Sequence, residues 1–154
     1  MATRNARHLV VRRPNRNSGG RRRLRGFLTV KPLRADVISV DPPGLKGIVC
    51  QGCRQRSFPA RQVCPFCGTS AVSDVVLSRR GTVVSWTVVH QAPPPLVTPY
   101  RLVTVDLEDG VRLLGVAEGD PTIDTPVEVE LHTVRSDDEG NPLCWYRFRK
   151  VTPV

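Results

Sequence analysis

The sequence predicts a mainly β protein in which a four-cysteine module precedes a small barrel of short strands. Two observations carry this prediction. Four cysteines fall in two tight pairs between residues 50 and 67, and short segments of alternating apolar residues fill the chain from residue 81 onward. The 12 glycines and 14 prolines favour short strands joined by turns over long helices. With 154 residues, the chain can form one ordinary domain or a small domain with an added module.

The cysteine spacing is typical of a metal-binding ribbon. Two residues separate Cys50 from Cys53 and Cys64 from Cys67, and ten residues separate the two pairs. If each pair lies on a tight turn, four thiolates converge on a tetrahedral Zn²⁺ with Zn–S distances of about 2.3 Å. Since protein ligands fill all four positions, we expect the zinc to be structural. Iron bound as in rubredoxin is the alternative with the same geometry.

Turn residues support this arrangement of the cysteines. Gly52 lies inside the first pair and Gly68 follows the second, and both are predicted to supply the positive φ that a tight turn needs. Pro65 is predicted to bend the second pair. The module is therefore predicted to be a rubredoxin-like zinc ribbon, which occupies residues 36–75 together with a docking segment.

Residues 76–154 are predicted to form a five-stranded OB-type barrel, because closure removes exposed strand edges. The Asp109–Gly110 pair predicts a hairpin turn. Residues 118–126 contain two prolines and are expected to form no more than a turn. The predicted strands cover residues 82–90, 102–107, 111–117 and 127–133, and a fifth strand turns Cys144, Tyr146 and Phe148 to one side.

The charge of the chain is concentrated at its N-terminus. Residues 1–35 contain 11 of the 23 basic residues and no acidic residue, so they are predicted to be a flexible basic arm. Residues 36–154 contain 12 basic and 14 acidic residues. The net charge of +9 is therefore a property of the arm, and it gives no reason to expect a nucleic-acid-binding surface on the folded part.

Apolar runs are too short for export or for insertion into a membrane. Arg21, Arg22 and Arg23 precede an apolar stretch of only residues 27–30, whereas a secretory signal needs 7–15 apolar residues and a spanning helix about 20. Paired cysteines without such a signal point to metal in a reducing compartment. We expect a cytoplasmic protein that does not enter a membrane; an organelle-targeting peptide is the alternative explanation of the arginine-rich start.

Several barrel residues have both a structural and a functional interpretation. Trp86 is expected in the core, with a ligand platform as the alternative. His90 is expected to be a hydrogen-bonded surface residue, with an acid–base group as the alternative. Tyr100 and Arg101 follow a proline at a strand start, where they would support the fold or contact a phosphate group of a ligand. Pro94, within the stiff apolar stretch 92–95, suggests an exposed partner surface. The lone Cys144 is expected to be buried and unreactive.

Together these motifs resemble the zinc-ribbon/OB-fold acyl-CoA-associated proteins, long known as a domain of unknown function. The resemblance covers residues 46–150 and is most specific where Gly81-Thr-Val-Val-Ser-Trp-Thr-Val-Val-His90 is followed by Ala92-Pro-Pro-Pro95. The basic arm stands where the family has a helical segment. Asp124 and Thr125 replace a family glycine.

The resemblance implies an accessory subunit without catalytic residues of its own. Its partner would be a thiolase-like or hydratase-like enzyme, and it would help to bind acyl-CoA or a related acyl thioester and to stabilise or bridge the catalytic subunits. Contacts with acyl-CoA or with the partner are expected at Trp86, His90, Pro94, Tyr100 and Arg101.

A nucleic-acid-binding protein with a zinc ribbon and an OB barrel is the alternative. Single-strand-binding OB barrels combine a basic groove with stacking aromatic residues. Aromatic residues make up only 5% of this chain, and its barrel segment has no basic excess, which argues against that function. A stand-alone enzyme is less favoured still, because no barrel segment combines a nucleophile, a base and an orienting group at a recognisable spacing.

Overall fold

A computed structural model of the chain describes residues 30–94 and 96–151. These residues form strands and turns without a helix, and none of them forms a helix that could cross a membrane. Most of the predicted basic arm lies outside the described residues. The strands are β1 (Lys31–Pro32), β2 (Ile38–Val40), β3 (Pro43–Cys50), β4 (Arg56–Ser57), β5 (Val72–Val76), β6 (Arg80–Val89), β7 (Tyr100–Leu107), β8 (Arg112–Ala117), β9 (Pro126–Ser136) and β10 (Pro142–Lys150).

Strands β6 to β10 close into a barrel. β7 pairs antiparallel with β6 and β8, and β9 pairs antiparallel with β6 and β10. β10 closes the ring by running parallel to β8, where Phe148 lies opposite Ala117. The amide of Glu118 donates a hydrogen bond of 2.7 Å to the carbonyl of Phe148 at the same place. The predicted five-stranded OB-type barrel is confirmed.

The alternation of apolar residues places the barrel core where the sequence predicts it. Val103, Val105 and Leu107 of β7 are buried, as are Val127 and Val129 of β9. The same holds in β10, whose buried residues are Cys144, Tyr146 and Phe148. Successive residues of a strand point to opposite faces, so every second side chain points into the barrel. Most of these inward side chains are branched, and they fill its interior.

Both predicted connections take the expected form. Gly110 has a φ of +82° in the turn between β7 and β8, where Asp106 pairs with Arg112. Residues 118–125 join β8 to β9 without a helix, and Pro121 of this loop is fully buried. Pro121 is therefore part of the packed interior at this end of the barrel.

Strand β6 departs from the expected pattern through a β-bulge. Its pairing with β7 shifts between Val83 and Ser85, which leaves Val84 as the extra residue. The buried core residue is therefore Val83, not Val84 as the simple alternation predicts. Trp86, expected in the core, is 43% exposed, so that expectation was wrong.

A second sheet is built around β3 and carries the cysteine pairs. β3 pairs antiparallel with β2, β4 and β5, and the β3–β5 pairing runs from Lys46 opposite Val76 to Cys50 opposite Val72. Gly47 leaves no room for a side chain, because an added Cβ would lie 2.6 Å from the carbonyl oxygen of Ser57 on the neighbouring strand β4. β3 ends at Cys50 and so brings the first cysteine pair to one end of this sheet.

The ribbon sheet and the barrel share one hydrophobic core. Ile38, Leu45 and Leu77 belong to the same buried cluster as the barrel residues. At the boundary the rings of Phe58 and Tyr146 meet edge to face, with centroids 6.2 Å apart. We infer that the two parts form one packed unit.

Strand β1 extends this unit toward the N-terminus. Lys31 lies opposite Leu143 and Pro32 opposite Cys144, in parallel pairing with β10, and the Leu33 amide donates a hydrogen bond of 2.9 Å to the Cys144 carbonyl. The folded part therefore begins before residue 36, where the sequence predicted the arm to end.

Candidate metal centre and barrel-end surface

Four cysteine sulfurs converge at the end of the ribbon. The Sγ atoms of Cys50, Cys53, Cys64 and Cys67 all lie within 4.8 Å of one another. Cys50 Sγ is 3.5 Å from Cys67 Sγ, and Cys53 Sγ is 3.6 Å from Cys64 Sγ. A tetrahedral ion with Zn–S bonds of about 2.3 Å requires sulfurs about 3.8 Å apart. The four predicted ligands therefore fit one metal ion.

Backbone hydrogen bonds fix the sulfurs in the two turns. The Cys53 amide points at Cys50 Sγ at 3.4 Å, and the Phe66 amide points at Cys64 Sγ at 3.5 Å. Each turn is also closed through its backbone: the Gly68 amide donates to the Cys64 carbonyl at 3.0 Å. Amides directed at the sulfurs favour thiolates, the form that binds metal.

The two turns are built alike, but not with the glycines that the sequence suggested. Positive φ occurs directly after the second cysteine of each pair, at Arg54 (φ 63°) and Gly68 (φ 73°). Gly52 does not have a positive φ, so the prediction for that residue was wrong. The first turn thus holds an arginine in a conformation that L residues other than asparagine and aspartate rarely adopt.

The thiols perturb one another in a way that calls for a cation. The amide of Cys53 lowers the pKa of Cys50 to about 6. At Cys53 the Gln55 amide lowers the pKa, but burial and the neighbouring thiols outweigh it and raise the pKa to about 12. Four thiolates this close repel one another strongly unless a metal neutralises them. All four ligands are sulfur, which suits zinc or iron.

At the far end of β6, Trp86 and Arg101 form a second notable arrangement. The Arg101 guanidinium carbon lies 4.1 Å from the Trp86 ring centroid. The guanidinium also donates a hydrogen bond of 2.9 Å to the Pro121 carbonyl and lies 3.2 Å from an Asp120 carboxylate oxygen. Arg101 thereby joins three segments at this end of the barrel.

The other predicted contact residues lie in or beside the loop between β6 and β7. His90 follows the end of β6 and is exposed, Pro94 is exposed in the loop, and Tyr100 begins β7 opposite Val89, half-buried. Arg101 contacts Trp86, Pro121 and Asp120 within the chain. Their sequence positions thus bring all five to one end of the barrel.

Sequence reasoning missed two apolar residues of this loop. Leu96 is 54% exposed and Val97 is 86% exposed, next to the proline cluster. Two large aliphatic residues outside any alternating strand pattern were the available signal. We call Trp86, Pro94, Leu96 and Val97 the barrel-end surface.

Comparison with known proteins places this architecture in a family. Residues 74–132 match the profile of the C-terminal OB-fold domain of ChsH2. The chain is 37% identical over 112 residues to the benzoylsuccinyl-CoA thiolase subunit BbsA of Thauera aromatica, covering 71% of this chain and 78% of that protein. This chain belongs to the ChsH2-like DUF35 family.

Two further proteins are similar to this DUF35 protein. One is a DUF35 domain-containing scaffold protein of Pyrococcus furiosus, 36% identical over 61% of this chain and 74% of that one. The other is a solved structure of an Ltp2–ChsH2(DUF35) aldolase, with 28% identity, a TM-score of 0.56, and coverage of 70% of this chain and 84% of that one. The family is thus homologous to accessory subunits of thiolase-type enzymes.

Proposed function

We propose that this DUF35 protein is a non-catalytic accessory subunit of a thiolase-type enzyme that acts on acyl-CoA in the cytoplasm. The partner is a thiolase-like, aldolase-like or hydratase-like catalytic chain. The observation that carries the proposal is the similarity to a thiolase subunit across more than two thirds of both chains. The DUF35 chain of a solved aldolase supports it.

The barrel-end surface is the proposed contact with acyl-CoA or with the catalytic chain. Arg101 covers one face of Trp86, and the partly exposed ring leaves area for a second contact. Pro94, Leu96 and Val97 add apolar area that this chain leaves exposed to solvent. Aromatic side chains surrounded by apolar neighbours are the usual anchors of protein interfaces.

The positively charged group of Arg101 at this end of the barrel already has partners within the chain. The guanidinium of Arg101 is bound to Pro121, Asp120 and Trp86, and its side chain is 14% exposed. We therefore propose that Arg101 positions Trp86 and does not itself grip a CoA phosphate. His90 and Tyr100 flank the surface as the remaining proposed contacts.

Zinc is the metal we propose for the four-cysteine site. Cys50, Cys53, Cys64 and Cys67 would hold it with every position filled, so that it organises the ribbon and takes no part in the reaction. Through the shared core, the ribbon supports the barrel that carries the proposed contact surface.

Removal of this chain from its complex tests the proposal. The catalytic subunit is purified with and without the DUF35 protein, and turnover of its acyl-CoA substrate is measured for each. We expect activity to fall sharply without this chain and to return when it is added back. The double variant Trp86→Ala, Val97→Ser should restore less activity. The control Val134→Ser changes an exposed apolar residue of β9 and should restore activity fully. Equal activity with and without the chain would refute the proposal.

Nucleic-acid binding is the competing function and is open to a direct test. Residues 30–154 should fail to bind single-stranded DNA at low salt if the accessory-subunit proposal is correct. Salt-dependent binding by that fragment would favour the alternative, because phosphate contacts make affinity fall with salt concentration.

A further inference from the structure

The four cysteine ligands differ in how far solvent reaches them. Cys50 is fully buried and Cys64 is 2% exposed, whereas Cys53 is partly buried and Cys67 is exposed. Redox-sensing cysteines are solvent-accessible and often have a second cysteine beside them that resolves the oxidised form. Among the four ligands, Cys67 is therefore the one that a dissolved oxidant reaches first.

Cys67 contacts the sulfur of the most deeply buried ligand. Its Sγ lies 3.5 Å from Sγ of Cys50, the last residue of β3. The Sγ atoms of Cys53 and Cys64 contact each other in the same way, at 3.6 Å. Each contact joins one residue of the first turn to one residue of the second. Cys50 is thus in place to react with an oxidised Cys67.

Backbone amides restrain two of the other sulfurs more than they restrain Cys67. The Cys53 amide points at Cys50 Sγ, and the Phe66 amide points at Cys64 Sγ. Among the described residues, no backbone amide donates a hydrogen bond to Cys67 Sγ. Such a hydrogen bond stabilises the charge on a thiolate and makes the sulfur a weaker nucleophile. The Cys67 thiolate should therefore be more reactive than those of Cys50 and Cys64.

The Cys50–Cys67 pair is uncovered on the side of Gly52. Gly52 is exposed, and a Cβ added to it would lie 3.7 Å from Cys50 Sγ and 3.9 Å from Cys67 Sγ. These are ordinary contact distances, so a methyl group would fit at this place and cover both sulfurs. The glycine has no such group. A small oxidant can therefore approach the pair over Gly52.

We propose that Cys67 is an oxidation site for hydrogen peroxide, and that oxidation joins it to Cys50 in a reversible disulfide that releases the metal. The Cys67 thiolate attacks one peroxide oxygen, so that an S–O bond forms, the O–O bond breaks and hydroxide leaves. The Cys50 thiolate then attacks the Cys67 sulfur, so that the S–S bond forms, the S–O bond breaks and a second hydroxide leaves. The two sulfurs lose two electrons in total, and these reduce one peroxide to two hydroxide ions.

Oxidation would leave too few thiolates to hold the metal. Only Cys53 and Cys64 would remain as thiolates, whereas a structural zinc site needs four ligands. The disulfide would still tie the second turn to β3, which pairs with β2, β4 and β5. Reduction should therefore restore the site. Because the ribbon and the barrel share one core, loss of the metal would also weaken the support of the barrel, which makes the ribbon a redox switch.

Peroxide treatment of the zinc-loaded, full-length protein tests this inference. A chromogenic chelator measures the zinc that is released, and peptide mapping by mass spectrometry identifies the disulfides. We expect the bound zinc to be released together with formation of a Cys50–Cys67 disulfide. Cys144, which is 2% exposed in the barrel, should stay unmodified as an internal control. Reduction with a phosphine and addition of zinc should restore the metal site.

Gly52→Ala tests the route by which peroxide reaches the pair. The added methyl group covers both sulfurs without replacing a ligand, so this variant should bind zinc normally and release it at least about threefold more slowly. Gln51→Ala is the matched control, because the Gln51 side chain is exposed and donates a hydrogen bond of 2.9 Å to Ser73 Oγ. It should release zinc at the rate of the wild type.

Three results would overturn the inference. If zinc stays bound and Cys67 stays unmodified when an equal concentration of glutathione has been oxidised, Cys67 is not an oxidation site. If zinc leaves with a Cys53–Cys64 disulfide instead, the assigned pair is wrong. If Gly52→Ala reacts as fast as the wild type, peroxide does not approach over Gly52. The measurement needs the proposed zinc but no catalytic partner, so the proposed function stands or falls separately.

Discussion

The guanidinium of Arg101 lies over the indole ring of Trp86, with its carbon 4.1 Å from the ring centroid. The same guanidinium holds the carbonyl of Pro121, a fully buried residue in the loop that closes the barrel. One side chain therefore connects the exposed aromatic residue of β6 to the barrel closure. We infer that it fixes the orientation of the Trp86 ring.

Arg101→Ala should reduce the free energy of unfolding by about 2 kcal/mol, because it removes a cation–π contact and a hydrogen bond to the carbonyl of Pro121. Urea unfolding measures the effect. Arg112→Ala is the matched control, since Arg112 pairs with Asp106 on the surface with 65% of its side chain exposed, and it should cost less than about 1 kcal/mol. Equal effects of the two substitutions would show that Arg101 does not fasten the barrel closure.

Cys64→Ser should abolish zinc binding and unfold the ribbon, since a structural zinc site contributes on the order of 10 kcal/mol to folding of such a module. Metal analysis and the spectrum of the cobalt-substituted protein measure the loss. Cys144→Ala is the matched control, because Cys144 is buried in the barrel and is not part of the cluster. It should keep one equivalent of zinc. Retention of that equivalent by Cys64→Ser would contradict the four-ligand site.

Two glycine substitutions should differ strongly although both residues lie in the folded part. A Cβ at Gly81 would lie 2.5 Å from the Asp106 carbonyl oxygen, so Gly81→Ala must displace the β6–β7 pairing and should cost about 2–4 kcal/mol. A Cβ at Gly52 would meet nothing nearer than 3.7 Å. Gly52→Ala should therefore fold and bind zinc normally. Thermal unfolding and metal content decide both cases, and loss of zinc in Gly52→Ala would contradict the described turn.

The carboxylate of Asp137 should make stability depend on acid pH. Hydrogen bonds from Asn141, and the nearby Lys31, lower the pKa of Asp137 to about 2. In the unfolded chain an aspartate has a pKa of about 3.9, so the ionised carboxylate of Asp137 stabilises the native state above that pH. This stabilisation is lost as pH falls toward 2. The stability difference between the wild type and Asp137→Asn should shrink from about pH 6 to about pH 3. Asp138→Asn, at an exposed position, is the control. A titration midpoint near pH 4 for the Asp137 carboxyl in the NMR spectrum of the folded protein would contradict this prediction.

Local patterns were enough to predict the four-cysteine cluster and most of the barrel. Cysteine spacing determines which sulfurs can meet, and alternation determines the buried face of a regular strand, as in Val127 and Val129. The extra residue Val84 reversed the alternation inside β6. No local sequence pattern predicted this bulge. The exposure of Trp86 and its contact with Arg101 depend on the barrel end that the loop containing Pro121 forms.

The short strand β1 could not be predicted because its partner is distant in sequence. β1 has two residues, and its pairing with β10 joins positions more than 100 residues apart. Positive φ at Arg54 was missed for a different reason. The turn geometry demands that conformation after the second cysteine, and residue preference alone directs attention to Gly52.

Purification of the tagged protein from its native host at moderate salt, with mass spectrometry of the proteins that co-elute, is the most direct test of the proposed function. We expect a thiolase-like, aldolase-like or hydratase-like enzyme in near-stoichiometric amount. Co-elution of nucleic acid that high salt removes, without such an enzyme, would contradict it.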